Sequence, residues 1–317
     1  MPSLKSRLFL FVLRNRHLLQ GRLKPRVIDW NTSTPEIRVE FEQAAKKSAP
    51  IPTEIEITPV SIPGLPEGLS AEWIMPRGAT KEKIIFYTHG GGYVSGSCAD
   101  HRMHVAKFVK DTGIGALLYE YRLAPEHPFP AAVEDTLLAY RWLLEQGVKP
   151  GNIIIVGESA GGGLCLATLL ALRDQGLVLP VAGVALSPWI DLHNTAGSFS
   201  SNAKKDISFE GSWTVWGKYY AGDCDRTHPW MSPIYGDLRG LPPLLIVVGT
   251  AEIMLDDARA FARKAQQAGT EVTLAEWEDM VHCFPLFAPL IPEATEAWAQ
   301  ICDFIRQQAG VDEPQLA

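Results

Sequence analysis

The sequence predicts an α/β fold: a mostly parallel, eight-stranded sheet with helices on both faces and a helical cap. Three observations carry this. From residue 54 onward, short apolar β-branched runs alternate with stretches of helical periodicity. Two of those runs end in glycine-rich turns, where open parallel sheets place their ligand sites. A long interruption, 193–242, falls where the next strand should come, and residues 1–50 lie outside the alternation.

Taken in order, the first fifty residues are expected to be helical. Lys5 and Arg7 precede the apolar run Leu8–Leu13, which stops at Arg14 with no small-residue cleavage site behind it. The run is too short for an export signal. The spacing predicts an amphipathic helix over Ser3–Gln20, with attachment to a membrane surface as the lesser reading. Thr34-Pro35-Glu36 reads as the N-cap and first turn of a second helix reaching about Lys47, which Pro50 and Pro52 end.

Strands are expected at Glu54–Val60, Leu69–Met75, Lys83–Thr88, Ala116–Tyr121, Asn152–Val156, Val181–Leu186, Leu244–Val248 and Val272–Trp277. Helices are expected at Asp100–Asp111, Ala131–Gln146, Ser159–Gln175, Asp256–Ala268 and Pro292–Gln308. Ala258, Phe261, Ala262 and Ala265 form one core-facing stripe, and Trp298, Ile301 and Ile305 another. The interruption carries an aromatic helical piece with Trp213, Trp216, Tyr219 and Tyr220. Residues 1–50 and 193–242 are expected to form a cap over the C-terminal edge of the sheet. Residues 51–192 and 243–317 would form the single catalytic domain beneath it.

Bulk properties narrow the class. With 46% apolar and 21% charged residues among 317, the chain reads as an ordinary globule. A net charge of −7 argues against a nucleic-acid surface, and no apolar run is long enough for an integral membrane segment. The five cysteines are odd in number and lack paired spacing, which points to a reducing, cytoplasmic setting. No histidine or cysteine cluster has metal-ligand spacing, so neither metal nor cofactor is expected.

Two motifs carry chemistry. Asn152–Val156, then Gly157-Glu158-Ser159-Ala160-Gly161, then a helix, is the context of a nucleophile elbow, with Ser159 as nucleophile. The plainer alternative has Ser159 only capping the helix. His89-Gly90-Gly91-Gly92-Tyr93 follows a strand and leaves backbone N–H groups unobstructed. Gly91 and Gly92, joined by Ala160, are the expected oxyanion donors. The alternatives are a flexible turn or a phosphate loop, and the latter lacks the following Lys-Ser/Thr. The base should follow the last strand, which selects His282. The acid should follow Leu244–Val248. Glu252 comes first, in the loop, with Asp256 second at the helix start, where acidic residues also suit the dipole. Tyr93, Trp213, Trp216 and Tyr220 are candidate walls of a substrate pocket, though at helical spacing the last three also suit cap core.

Together these residues resemble the hormone-sensitive-lipase-like α/β-hydrolases, bacterial lipolytic family IV. The matches are His89-Gly90-Gly91-Gly92, the stretch Tyr121–Ala132, Gly157-Glu158-Ser159-Ala160-Gly161-Gly162, and Met280-Val281-His282, in that order. The resemblance implies the α/β-hydrolase fold and a carboxylesterase acting on short- to medium-chain acyl esters through an acyl-enzyme. It carries the nucleophile to Ser159 and the base to His282, and the family's acid-to-base spacing lands on Glu252. There the chain departs: the family has Asp followed by Pro-Leu, and this chain has Glu252-Ile253-Met254. Glu158, where Asp is common, reads as shaping the pocket floor, and Arg122 with Glu126 as a polar cluster within a scaffold. A deacetylase, amidase or lactonase would use the same triad, and a non-catalytic receptor would have lost His282. The implied partner is a small-molecule ester, and a homodimer is one assembly the resemblance allows.

Overall fold

The computed structural model describes residues 1–19, 21–45 and 50–311. Helix α1 (Leu4–Arg14) begins where Ser3 Oγ accepts from Ser6 N–H. The single helix expected over Ser3–Gln20 is broken at Asn15, and a short α2 (Arg16–Leu19) follows. Asn15 ends α1 because its own N–H and its side-chain amide both bond Phe11 O, closing the last turn locally. Gln20 lies outside the described residues. Helix α3 (Thr34–Ala45) is capped one residue earlier than expected, with Ser33 Oγ accepting from Glu36 N–H at 3.4 Å. Its expected end at Lys47 also lies outside the described residues.

The strands are β1 (Ile55–Val60), β2 (Ala71–Pro76), β3 (Ile84–Thr88), β4 (Gly115–Tyr119), β5 (Ile153–Glu158), β6 (Ala182–Leu186), β7 (Leu244–Gly249) and β8 (Val272–Trp277). They form one sheet in the order β1-β2-β4-β3-β5-β6-β7-β8. Only the β1–β2 and β2–β4 pairings are antiparallel. The five strands from β3 to β7 are buried throughout, as a parallel sheet covered on both faces requires, whereas the edge strands β1 and β8 are partly exposed.

Helices α4 (Cys98–Thr112), α5 (Ala131–Glu145), α6 (Ala160–Asp174), α7 (Gly197–Ser201), α8 (Ser212–Ala221), α9 (Leu255–Gln267) and α10 (Pro292–Ala309) complete the fold. Alternate residues of each strand feed opposite faces. Phe86 and Ile155 join a core with α5, α6, α8 and α9. Tyr87 and Val156 join the other, with α4, α10 and Leu10 of α1. The N-terminal segment meets the 193–242 stretch where Ile28 N–H bonds Glu210 O at 2.8 Å and Arg16 bonds Ile207 O at 2.8 Å. Helix α1 also lies along α10, and its Phe9 packs on Phe287, ahead of that helix, at 5.3 Å between ring centroids.

Candidate active site

Strand β5 runs to Glu158 and α6 begins at Ala160, so Ser159 alone makes the turn. Its backbone sits at φ 56°, ψ −124°, a conformation that L-residues rarely adopt and that costs on the order of 1–3 kcal/mol. Neighbouring structure holds it there. Ser159 N–H bonds Leu186 O at 2.8 Å, and Ser159 O accepts from Gly163 and Trp189. A Cβ at Gly161 would meet Thr88 O at 2.1 Å, so that position must be glycine for the turn to close on β3.

Ser159 Oγ lies 2.9 Å from His282 Nε2. The loop after β8 carries His282 to the hydroxyl, steadied by Met280 O accepting from Ala251 N–H and by the indole of Trp213, 5.4 Å from the imidazole between centroids. On the far side of the ring, His282 Nδ1 lies 3.4 Å from Glu252 Oε2. Among the described residues neither of those two atoms has a hydrogen-bond partner, so each faces the other across a gap that a small ring movement closes. Glu252 is fully buried, and its Oε1 is held by Ser187 Oγ at 2.8 Å and Gly249 N–H at 2.6 Å. Asp256 points elsewhere: its carboxylate accepts from Ser198 N–H at 2.9 Å and reaches Arg259 at 3.5 Å.

Burial disfavours the His282 imidazolium, but the adjacent Cys283 sulfur and Glu252 carboxylate favour it, and the balance sets its pKa well above 6.5. Burial raises the Cys283 thiol in turn. Burial also raises Glu252, with His282 opposing.

The loop after β3 faces the same hydroxyl. Gly91 has φ 112°, and a Cβ there would sit 2.2 Å from Ser95 O. Gly91 O turns inward to accept from Val94 and Ser95. Among the described residues the N–H groups of Gly91 and Gly92 meet no acceptor, and Ala160 N–H lies in the unpaired first turn of α6. Trp216 lies over this loop, since a Cβ on Gly92 would come within 2.3 Å of its Cε3. Tyr93 stacks on Tyr220 at 3.7 Å between centroids. A cavity of about 570 Å3 lies next to the site, with Phe199, Phe209, Trp213 and Ile253 in its wall. Ser159 and His282 do not line it, but Trp213 beside the imidazole and Asp206, which accepts from His282 N–H at 3.3 Å, do.

Two expectations about supporting residues are corrected. Arg122 does not pair with Glu126: its guanidinium grips Asp135 at 2.8 Å, while Glu126 binds Arg38 of α3 at 2.7 Å. The first turns of α5 bring a buried carboxylate to Arg122, and a bidentate partner there outcompetes an exposed one. Glu158 forms no pocket floor. It lies beneath the glycine loop, where Oε1 accepts from Gly90 N–H at 2.5 Å and Oε2 from Tyr87 OH at 2.5 Å.

His101 of α4 completes that buried cluster, with Nε2 2.9 Å from Glu158 Oε1 and Nδ1 against Asp100. Burial works against the His101 charge, but Glu158 and Asp100 overcome it and raise its pKa to about 10. The nearby His89 and His104 are pushed down to about 4, chiefly by burial, and stay neutral. Glu158, the residue before Ser159, is thus tied to Gly90, the residue before Gly91, by a hydrogen bond and to α4 by the ion pair with His101. Nothing in the sequence links position 101 to position 158, since only the β3–β5 pairing brings α4 and the elbow together. Ser187, which braces Glu252, was equally silent.

His101→Gln is expected to cost about 3–5 kcal/mol near neutral pH, because it strands a buried carboxylate. The folded-state pKa is raised above the unfolded 6.5, so the pair's contribution is fully present below pH 6.5 and fades as pH climbs toward 10. Urea midpoints of both proteins across that range check this. A difference that does not shrink at alkaline pH would contradict it.

Residues 85–286 match the family model described as alpha/beta hydrolase fold. An acetyl-hydrolase of Streptomyces hygroscopicus is 38% identical over 295 residues, covering 89% of this chain and 94% of that one. An esterase of Acinetobacter venetianus is 35% identical over 276 residues, covering 86% and 89%. Among solved structures, an esterase of the bacterial hormone-sensitive lipase family is 41% identical, with a TM-score of 0.86, over 98% of this chain and all of that one.

Proposed function

The chain belongs to the α/β hydrolase fold family, among its hormone-sensitive-lipase-like esterases, and from that premise we propose that Ser159, His282 and Glu252 form its catalytic triad. The protein is a hydrolase acting on carboxylic ester bonds of small molecules. The observation that carries the triad is the 2.9 Å contact between His282 Nε2 and the Ser159 hydroxyl at a strained strand-to-helix turn.

Ser159 Oγ attacks the ester carbonyl as His282 Nε2 takes its proton. The resulting oxyanion is held by the N–H groups of Gly91, Gly92 and Ala160, each worth about 3 kcal/mol in the transition state. His282 returns the proton to the departing alcohol, leaving Ser159 acylated. Water, deprotonated by His282, then releases the acid. Glu252 fixes the ring and stabilises its charged form.

Trp216 above Gly92 and Trp213 beside His282 set aromatic walls next to the glycine loop and the base, which supports short to medium chains. The acetyl-hydrolase relative favours acetyl esters among these, so a deacetylase is the second reading. Residues 1–50 and 193–242 act as the cap over a core of 51–192 and 243–317. The free cysteines favour a cytoplasmic setting and the acidic balance disfavours nucleic acid. β8 is an edge strand of the sheet, which supports a homodimer built through it.

A fluorophosphonate probe tests the site. It should modify the folded protein at one residue, and peptide mapping should find the adduct on Ser159. An unlabelled protein, or an adduct elsewhere, removes the triad.

A further inference from the structure

Helix α1 has two apolar faces. One holds it to the body, with Leu10 buried and Phe9 and Leu13 packed beside the α10 core. The other points outward: Leu4, Leu8, Phe11 and Val12 recur at i, i+4, i+7 and i+8 and are 79%, 64%, 64% and 44% exposed. Leu18 and Leu19 of α2 and Leu23 beyond it are exposed as well. Single exposed leucines need no explanation, but a contiguous stripe on one helix does.

Charge sets this segment apart. The first 28 residues hold seven of the chain's 29 Lys and Arg and none of its 36 Asp and Glu, although the whole chain is acidic. Lys5 and Arg7 flank the outward stripe on either side of the helix. Just behind it, Arg14, Arg16, Arg22, Arg26 and Lys204 line a cavity of about 260 Å3. Of the three carboxylates there, Glu40 is paired with Arg26, Asp206 is spent on the backbone N–H groups of Ile207, Ile253 and His282, and Glu210 is exposed. Among the described residues Arg14, Arg22 and Lys204 have no carboxylate partner. The backbone bonds of Arg14 and Arg16 to Lys205 and Ile207 hold two guanidinium groups at the cavity wall.

We propose that the N-terminal segment is a docking surface for an anionic phospholipid bilayer. The outward stripe of α1 enters the interface, and the arginine-lined cavity receives a phosphate headgroup. The physics is that of an interfacial amphipathic helix with a basic border, in which apolar insertion and attraction to anionic lipid add. A second copy of this chain is a poorer occupant, because it would bring two strongly basic segments together. No described helix is long and apolar enough to cross the membrane, so the contact is peripheral. Docking is independent of the catalytic assignment, and none of these residues touches Ser159.

Flotation of the full chain with sealed vesicles tests it. The protein should rise with phosphatidylcholine vesicles containing phosphatidylglycerol, stay behind with phosphatidylcholine alone, and be released by high salt. Phe11→Asp and Arg22→Glu should each weaken binding by about tenfold or more, a single surface charge alone being worth about fivefold. Both variants should hydrolyse a soluble p-nitrophenyl ester normally, which shows that they fold. Failure to bind phosphatidylglycerol vesicles at low salt overturns the proposal, as does equal binding to neutral vesicles. A dimer that Phe11→Asp splits, seen by light scattering, would assign the stripe to a second copy instead.

Discussion

Ser159→Ala is expected to lower kcat on a p-nitrophenyl ester by about 10^6-fold, the scale on which loss of a triad serine acts. The methyl group keeps the backbone and the packing at the elbow and removes only the nucleophilic oxygen. The protein should melt at an unchanged temperature, because alanine has the same Cβ and meets the same strain at φ 56°. A residue of about 10^3–10^4-fold over the uncatalysed reaction should persist, since the donors of Gly91, Gly92 and Ala160 remain. Stopped assays on purified protein, with circular dichroism alongside, check both halves. Activity within tenfold of the parent would mean that another group attacks the ester.

Glu252→Gln comes second in size, with turnover expected to fall by about 10^4-fold. The amide fills the same buried space but cannot stabilise an imidazolium, and it can present the wrong group to His282 Nδ1. Its pH dependence carries more information than its size. In the parent the His282 pKa is raised above 6.5, so kcat/KM should be low in acid and climb as the ring loses its proton above that value. Removing the carboxylate takes away the favourable charge and leaves burial opposing protonation, so the acid limb should move to lower pH. Asp256→Asn, with its carboxylate bound to Ser198 and Arg259, should leave the limb where it is. A limb that moves in Asp256→Asn and not in Glu252→Gln would exchange the two acids.

The elements themselves were readable because each depends on local pattern. All eight strands lie within a few residues of their expected places, since buried parallel strands are short apolar runs bounded by turn residues. Boundaries slipped where a side chain competed with the backbone, as with the Asn15 amide closing α1 early and Ser33 taking the cap from Thr34. The order of β3 and β4 in the sheet is not a local property. Their crossing follows from right-handed connections through α4 and α5.

Along the chain, the alternating architecture, the glycine turns after β3 and β5, and the candidate residues Ser159, His282 and Glu252 are legible in the primary structure, because each is written in adjacent residues or in their order. What surrounds them emerges with the folded molecule: Trp216 over Gly92, Ser187 against Glu252, Asp135 in place of Glu126 on Arg122, and His101 charged beneath the loop. Those pairings join residues far apart in the chain, and their strength comes from burial, which exists only once the sheet has closed over them.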